Sequence, residues 1–232
     1  MSDAVQVAPS ASLRAKDLVF AAIAVMVVYV LYNNESFLLN PAHPVWQHYA
    51  PFKWWLLPHG LAGACALVLA PMQFSDRLRV RFAKLHRITG RTYVTAAFVF
   101  APIGAYIQYL DESQGASWTF TVETVVQASL LMITTGIGFI FAMKRMIPQH
   151  RQWMTRSYAV ALTFFEVRFI LGVTGWNEPF NWQHIEIVVW TCTACSVLIG
   201  DIANQVYELS SARPRPAPAR AKPEAVAARA GS

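Results

Sequence analysis

The stretch WWLLPHGLAGACALVLAPMQFSDRLRVRFAKLHRITGRTYVTAAFVFAPIGAYIQYL, residues 54–110, decides the fold. Two apolar runs, 54 to about 74 and about 92 to 110, flank a gap that holds Arg77, Arg79, Arg81, Lys84, Arg87 and Arg91. A helix needs about 20 apolar residues to cross a hydrocarbon core about 30 Å thick. Both runs have roughly that length. A charge at the bilayer centre costs roughly 2.5–3.5 kcal/mol or more, so six cations keep the gap out of the lipid. The stretch reads as a helical hairpin through a membrane, with its basic turn on one side.

The same pattern extends in both directions. Further apolar runs span Leu18 to Tyr32, about Thr121 to Met143, about Ser157 to Val173 and about His184 to Leu209. The predicted fold is all-α, a polytopic membrane bundle of six transmembrane helices. Residues 1–17 form an N-terminal segment and 18–209 the membrane domain. Residues 210–232 form a basic Pro/Ala-rich tail, read as disordered because it cannot bury a core. The first run follows Arg14 and Lys16 but leads into Asn33-Asn34-Glu35-Ser36 without a small-x-small cleavage site, so it reads as an uncleaved span. Of the 232 residues, 55% are hydrophobic and 14% charged. Soluble domains carry about 25% charged residues. This balance excludes a disordered chain, and three cysteines inside apolar runs exclude a disulfide-stapled module.

The cations fix an orientation. All of the 19 Lys and Arg except Lys53 and Arg168 lie in the N-terminal segment, the second and fourth gaps, or the tail. Basic residues collect on the cytoplasmic side of short loops, so both termini are predicted inside. The net charge of +6 therefore reports topology and contact with anionic lipid rather than nucleic-acid binding. Trp46, Trp54, Trp55, Trp118, Trp176 and Trp182 fall at the opposite ends of the spans, as an interfacial aromatic belt does.

The two basic gaps end alike: His86-Arg87-Ile-Thr-Gly90-Arg91-Thr-Tyr93 and His150-Arg151-Gln-Trp-Met-Thr-Arg156-Ser-Tyr158. Strings recurring 64 residues apart suggest a duplicated helix pair, spans two and three matching four and five. Read blandly, Arg snorkels to phosphate and Tyr sits at the interface. Read chemically, His86 and His150 lie at one depth, and bis-His sites in helix bundles hold b-type haem. Gly90, four residues after His86, would leave room for a flat macrocycle. Arg87, Arg91, Arg151 and Arg156 would pair with its propionates.

A second candidate lies near the aromatic face. His59 is about five residues into its span, roughly 7 Å deep at 1.5 Å per residue. Gly63 and Ala66 follow on the same face. Arg168, inside the fifth span, demands a partner. An outer polar cluster of His59, Arg168, Glu123, Glu186 and His184 is expected, with His59 and His184 as its ligand pair. Glu166 points to another side of the Arg168 helix. Cys192 and Cys195 share a helix face and read as packing. Asp201 is placed to counter the basic-face arginines.

His59-Gly60, His86-Arg-x-x-Gly-Arg91 and His150-Arg-x-Trp-Met-x-Arg-Ser-Tyr158, with Arg168 following, resemble the bacterial membrane-protein family called domain of unknown function 2306, over roughly residues 55 to 205. The resemblance implies a multi-pass protein of the bacterial inner membrane. The chain is more loosely similar to the two-haem transmembrane cytochromes b, which carry one His pair near each face. That likeness implies haem b and an electron partner such as quinone, though no ascorbate- or flavin-binding segment accompanies it. Three functions follow as expectations. One is a haem b protein exchanging electrons with quinone. Another is a non-redox carrier or sensor of a small molecule or lipid, with Arg168 as its anion-binding charge. The third is an accessory subunit of a larger membrane complex.

Overall fold

A computed structural model describes residues 15–176 and 182–211. Residues 1–14, 177–181 (Glu178 among them) and 212–232 lie outside it. The described residues are helical, with no strand among them. Six helices are long and apolar enough to cross a membrane. They are α1 (Ala15–Asn33), α3 (Lys53–Gln73), α5 (Ala83–Glu112), α6 (Trp118–Met143), α7 (Ile147–Thr174) and α8 (Trp182–Ser211). Two short helices, α2 (Val45–Tyr49) and α4 (Asp76–Arg81), lie between them.

Local chemistry sets the joints. Ser75 caps α4, its hydroxyl accepting from the Leu78 N–H (3.3 Å). Gly175 ends α7 in the left-handed conformation at φ 67°, the usual role of glycine after a helix. The tight turn between α6 and α7 places Arg145 at φ 58°, an unfavourable setting for a side chain with a Cβ.

Helices in lipid gain nothing from hydrophobic association, so they join where small residues admit close packing. Ala66, Ala70 and Ala96 surround Tyr93, Tyr158 and Leu162 in one buried cluster. Ala97, Ala101, Ala128, Leu131 and Val160 form a second. At Gly200 an added Cβ would stand 2.9 Å from the Arg156 Cα, so α8 meets the α7 backbone there. Neighbours in sequence are neighbours in space: α3 packs on α5, α5 on α6, α6 on α7 and α7 on α8. Helix α1 rests mainly against α7, and its face with Leu18, Val25 and Val28 is exposed where lipid would lie. An aromatic cap of Phe37, Trp46, Tyr49 and Phe52 covers the end of the bundle opposite the arginines.

Candidate functional site at the basic face

Between the start of α1 and the end of α3 runs a groove of about 350 Å³, lined by Lys16, Asp17, Phe20, Pro71, Phe74, Ser75 and Asp76. Pockets for small ligands begin near 300 Å³. Lys16 Nζ donates to Asp76 Oδ2 (3.1 Å) across it, and Arg79 also donates to Asp76. The Lys16 hydrogen bond holds the Asp76 carboxyl below the usual carboxylate range. Partial burial opposes it, and the charges of Lys16, Arg79 and Arg151 reinforce it.

Phe74 forms the inner wall. Its ring lies 5.6 Å from that of Phe20 and 5.6 Å from that of Tyr158, and Phe20 and Tyr158 are 6.4 Å apart. Three helices thus contribute to one aromatic triad. Beyond it, Ala70, Gln73, Phe74, Tyr93, Met154 and Tyr158 enclose a small pocket of about 10 Å³. Most polar groups there are engaged. Tyr93 and Thr135 each share a 2.7 Å hydrogen bond with the buried Ser157 hydroxyl. Gln73 Nε2 donates to Thr89 Oγ1 (2.6 Å). The Tyr158 hydroxyl has no partner, although the residue is only 6% exposed. These tyrosines end the two similar strings. They are core residues rather than interfacial anchors, because the spans cross with both strings turned inward.

His86 and His150 lie near the basic-face starts of α5 and α7. His150 Nδ1 donates to the Gly138 carbonyl (2.8 Å); a carbonyl can only accept, so a neutral ring keeps its lone pair on Nε2. His86 Nδ1 is buried without a partner. Each neutral ring keeps one lone pair, but the space on the predicted side does not suit a macrocycle. An added Cβ on Gly90 would lie 3.2 Å from Gln73 Oε1, so Gln73 already fills the room that Gly90 was expected to leave. Three of the four neighbouring arginines are engaged elsewhere. Arg151 lies over the Tyr207 ring (4.3 Å). Arg156 donates to Asp201 (2.5 Å) and lies over Trp153 (4.7 Å), so Asp201 does counter a basic-face arginine. Arg87 bonds the Ala83 carbonyl of its own helix, and Arg91 is exposed.

The expected outer cluster does not assemble. His59 Nδ1 donates to the Phe100 carbonyl (2.9 Å), and its ring lies against Gly104, whose missing Cβ makes the space. It joins α3 to α5. His184 instead faces the Trp176 carbonyl at 3.4 Å, at the α7–α8 end. Thr193 donates to the buried Glu123, and Ser117 donates to Glu186. Arg168 pairs with Glu35 (3.6 Å), just beyond α1, and lies over the Phe164 ring (4.9 Å). The reason is angular: residues that share a depth on different helices face different neighbours. Gly63 has open space beside it and contacts no helix there.

Sequence reasoning missed Lys16, Gln73, Phe74 and Asp76. The signal was available in Pro71, in the last turn of one helix, and Ser75, which caps the next, beside the basic gap.

Six helices long and apolar enough to cross a membrane define a multi-pass helical membrane protein. Residues 56–203, more than half of the chain, match the family described as Predicted membrane protein (DUF2306), and the chain belongs to that family. No curated protein and no solved structure matches the chain, so the looser likeness to cytochromes b finds no counterpart there.

Proposed function

We propose that this protein lies in a bacterial inner membrane and binds a small amphiphile drawn from the leaflet at its basic face, with the positive-inside pattern supporting the cytoplasmic leaflet. The observation that carries this reading is the groove between α1 and α3. Its mouth holds Lys16, Asp17 and Asp76, and its floor is Phe20, Pro71 and Phe74. Charged groups at the mouth suit a polar head in the interface, and the aromatic floor suits an apolar body. The site thus moves the small-molecule reading away from Arg168, whose charge is met by Glu35.

A photo-crosslinking amino acid at Asp17, in the groove, tests this against one at Val25, on the exposed face of the same helix. The groove position should capture one amphiphile species that is enriched over bulk lipid, and Val25 should capture bulk lipid only. The same adduct profile at both positions would overturn the reading.

A second reading has its own support. The unpartnered His86 Nδ1 and the oriented His150 ring favour an axial pair for haem b, which would supply one-electron chemistry linked to quinone. A haem there would have to displace Gln73 from the Gly90 face. Oxidised and dithionite-reduced absorbance spectra decide it. A Soret band with a sharp reduced α-band that is lost in His86→Ala and His150→Ala supports haem, and a featureless spectrum from protein expressed with haem sinks it.

A further inference from the structure

We infer that Glu123, Thr163 and Thr193 form a site for a dehydrated monovalent cation, sodium, at the junction of α6, α7 and α8. The inference is independent of the groove and goes beyond the amphiphile reading.

Three observations carry it. First, three antiparallel neighbours bring these residues to one level. Gln127 of α6 donates to the Val160 carbonyl of α7 (3.5 Å). One turn from each, toward the end opposite the arginines, stand Glu123 and Thr163. Gly200 of α8 meets Arg156 of α7, and two turns from each, toward the same end, stand Thr193 and Thr163. Thr193 itself donates to Glu123, which joins α8 to α6. Glu123, Thr163 and Thr193 are 1%, 1% and 2% exposed, so all three are turned into the bundle.

Second, the Glu123 carboxylate has no counter-charge. Among the described residues Lys16, Arg79, Arg156 and Arg168 form ion pairs, and each meets another carboxylate. A bare carboxylate inside a membrane bundle is costly, so a proton or a cation must neutralise it. Third, the Thr163 Oγ1 is buried without a partner. Natural proteins retain few such atoms. A proton on Glu123 would leave Thr163 as it is, and a water on Thr163 would leave the charge. A cation held by the carboxylate and both hydroxyls answers both. An all-oxygen set selects a hard ion, and a single carboxylate is balanced by a single positive charge. The approach from the end opposite the arginines is acidic, which favours a cation: Glu186 lies two turns out from Thr193, and Glu166 one turn out from Thr163.

The test uses the full chain, purified in N-methylglucamine chloride and titrated with sodium chloride at constant pH and ionic strength. Equilibrium dialysis with radioactive sodium reads binding, and thermal unfolding reads its linkage to stability. Wild type should bind sodium saturably and melt higher as sodium rises. Glu123→Gln keeps an acceptor for Thr193 and removes the charge, so it should lose the sodium response. Thr163→Val keeps the branched shape and removes one ligand oxygen, so it should bind about 2- to 10-fold more weakly, the span of one neutral polar contact. The inference is overturned if wild type shows no saturable sodium binding, or if either variant binds sodium as tightly as wild type. A wild type whose stability responds to pH and not to sodium would likewise overturn it, and would give Glu123 a proton instead.

Discussion

Ser157 shows how much of this molecule depends on single hydroxyls. It is fully buried and bridges Tyr93 of α5 to Thr135 of α6. Ser157→Ala would remove two hydrogen bonds within the bundle and leave the Tyr93 and Thr135 hydroxyls only each other. Hydrogen bonds between membrane helices average about 0.6 kcal/mol and reach about 1.7 kcal/mol, so the variant should lose about 1 kcal/mol in thermal unfolding in detergent. Asp76 gives a prediction in pH. Its carboxyl titrates below the ordinary value of 3.8, held there chiefly by Lys16. A depressed carboxylate contributes at neutral pH and loses that contribution as pH falls through its lowered value. Spin labels at Leu18 and Val80 should therefore keep their separation from pH 7 to pH about 4 and move apart below it. Asp76→Asn should show the wider separation throughout, and a separation insensitive to both acid and substitution would remove the ion pair from the account. At this scale the sequence was partly readable. It located His86, His150, Arg156 and Asp201 at the basic face, because charge and depth can be counted along a chain. It did not predict that Arg168 meets Glu35, since that pairing depends on how α1 lies against α7.

At the scale of elements, hydropathy was sufficient. Six runs of apolar residues became six helices, with ends that differ from the expected ones by polar turns that continue the helix beyond the lipid. α5 begins at Ala83 and so includes His86, Arg87 and Arg91, which sequence reading had left in the gap before its span. The rotation of each helix about its axis was not readable, because in lipid both faces of a span are apolar and periodicity carries little information. This is why Tyr93 and Tyr158 were placed at the interface and are found in the core. The contact of α7 with α8 makes a test. Gly200 lets α8 approach the Arg156 backbone, and a methyl group there would stand 2.9 Å from the Arg156 Cα. Backbone cannot yield as a side-chain tip can. Gly200→Ala should cost about 1–3 kcal/mol and loosen the Arg156–Asp201 bond, read as a lower melting temperature. An unchanged melting temperature would mean that the two helices separate freely.

For the whole molecule, the family match over residues 56–203 takes in α4 to α7 with most of α3 and α8, and leaves α1 outside. That division places the groove at a boundary: Pro71, Phe74, Ser75 and Asp76 belong to the matched segment, and Lys16, Asp17 and Phe20 to α1. Helix α1 is the most loosely packed of the six, so under the proposed function it is the wall past which a ligand would enter from the leaflet. Native mass spectrometry of the detergent-released protein tests this most directly. Wild type should retain one amphiphile per chain, and Asp17→Trp, which puts an indole in the groove, should lose it while keeping its helical content. A bare wild-type chain, or the same adduct on both proteins, would contradict the account.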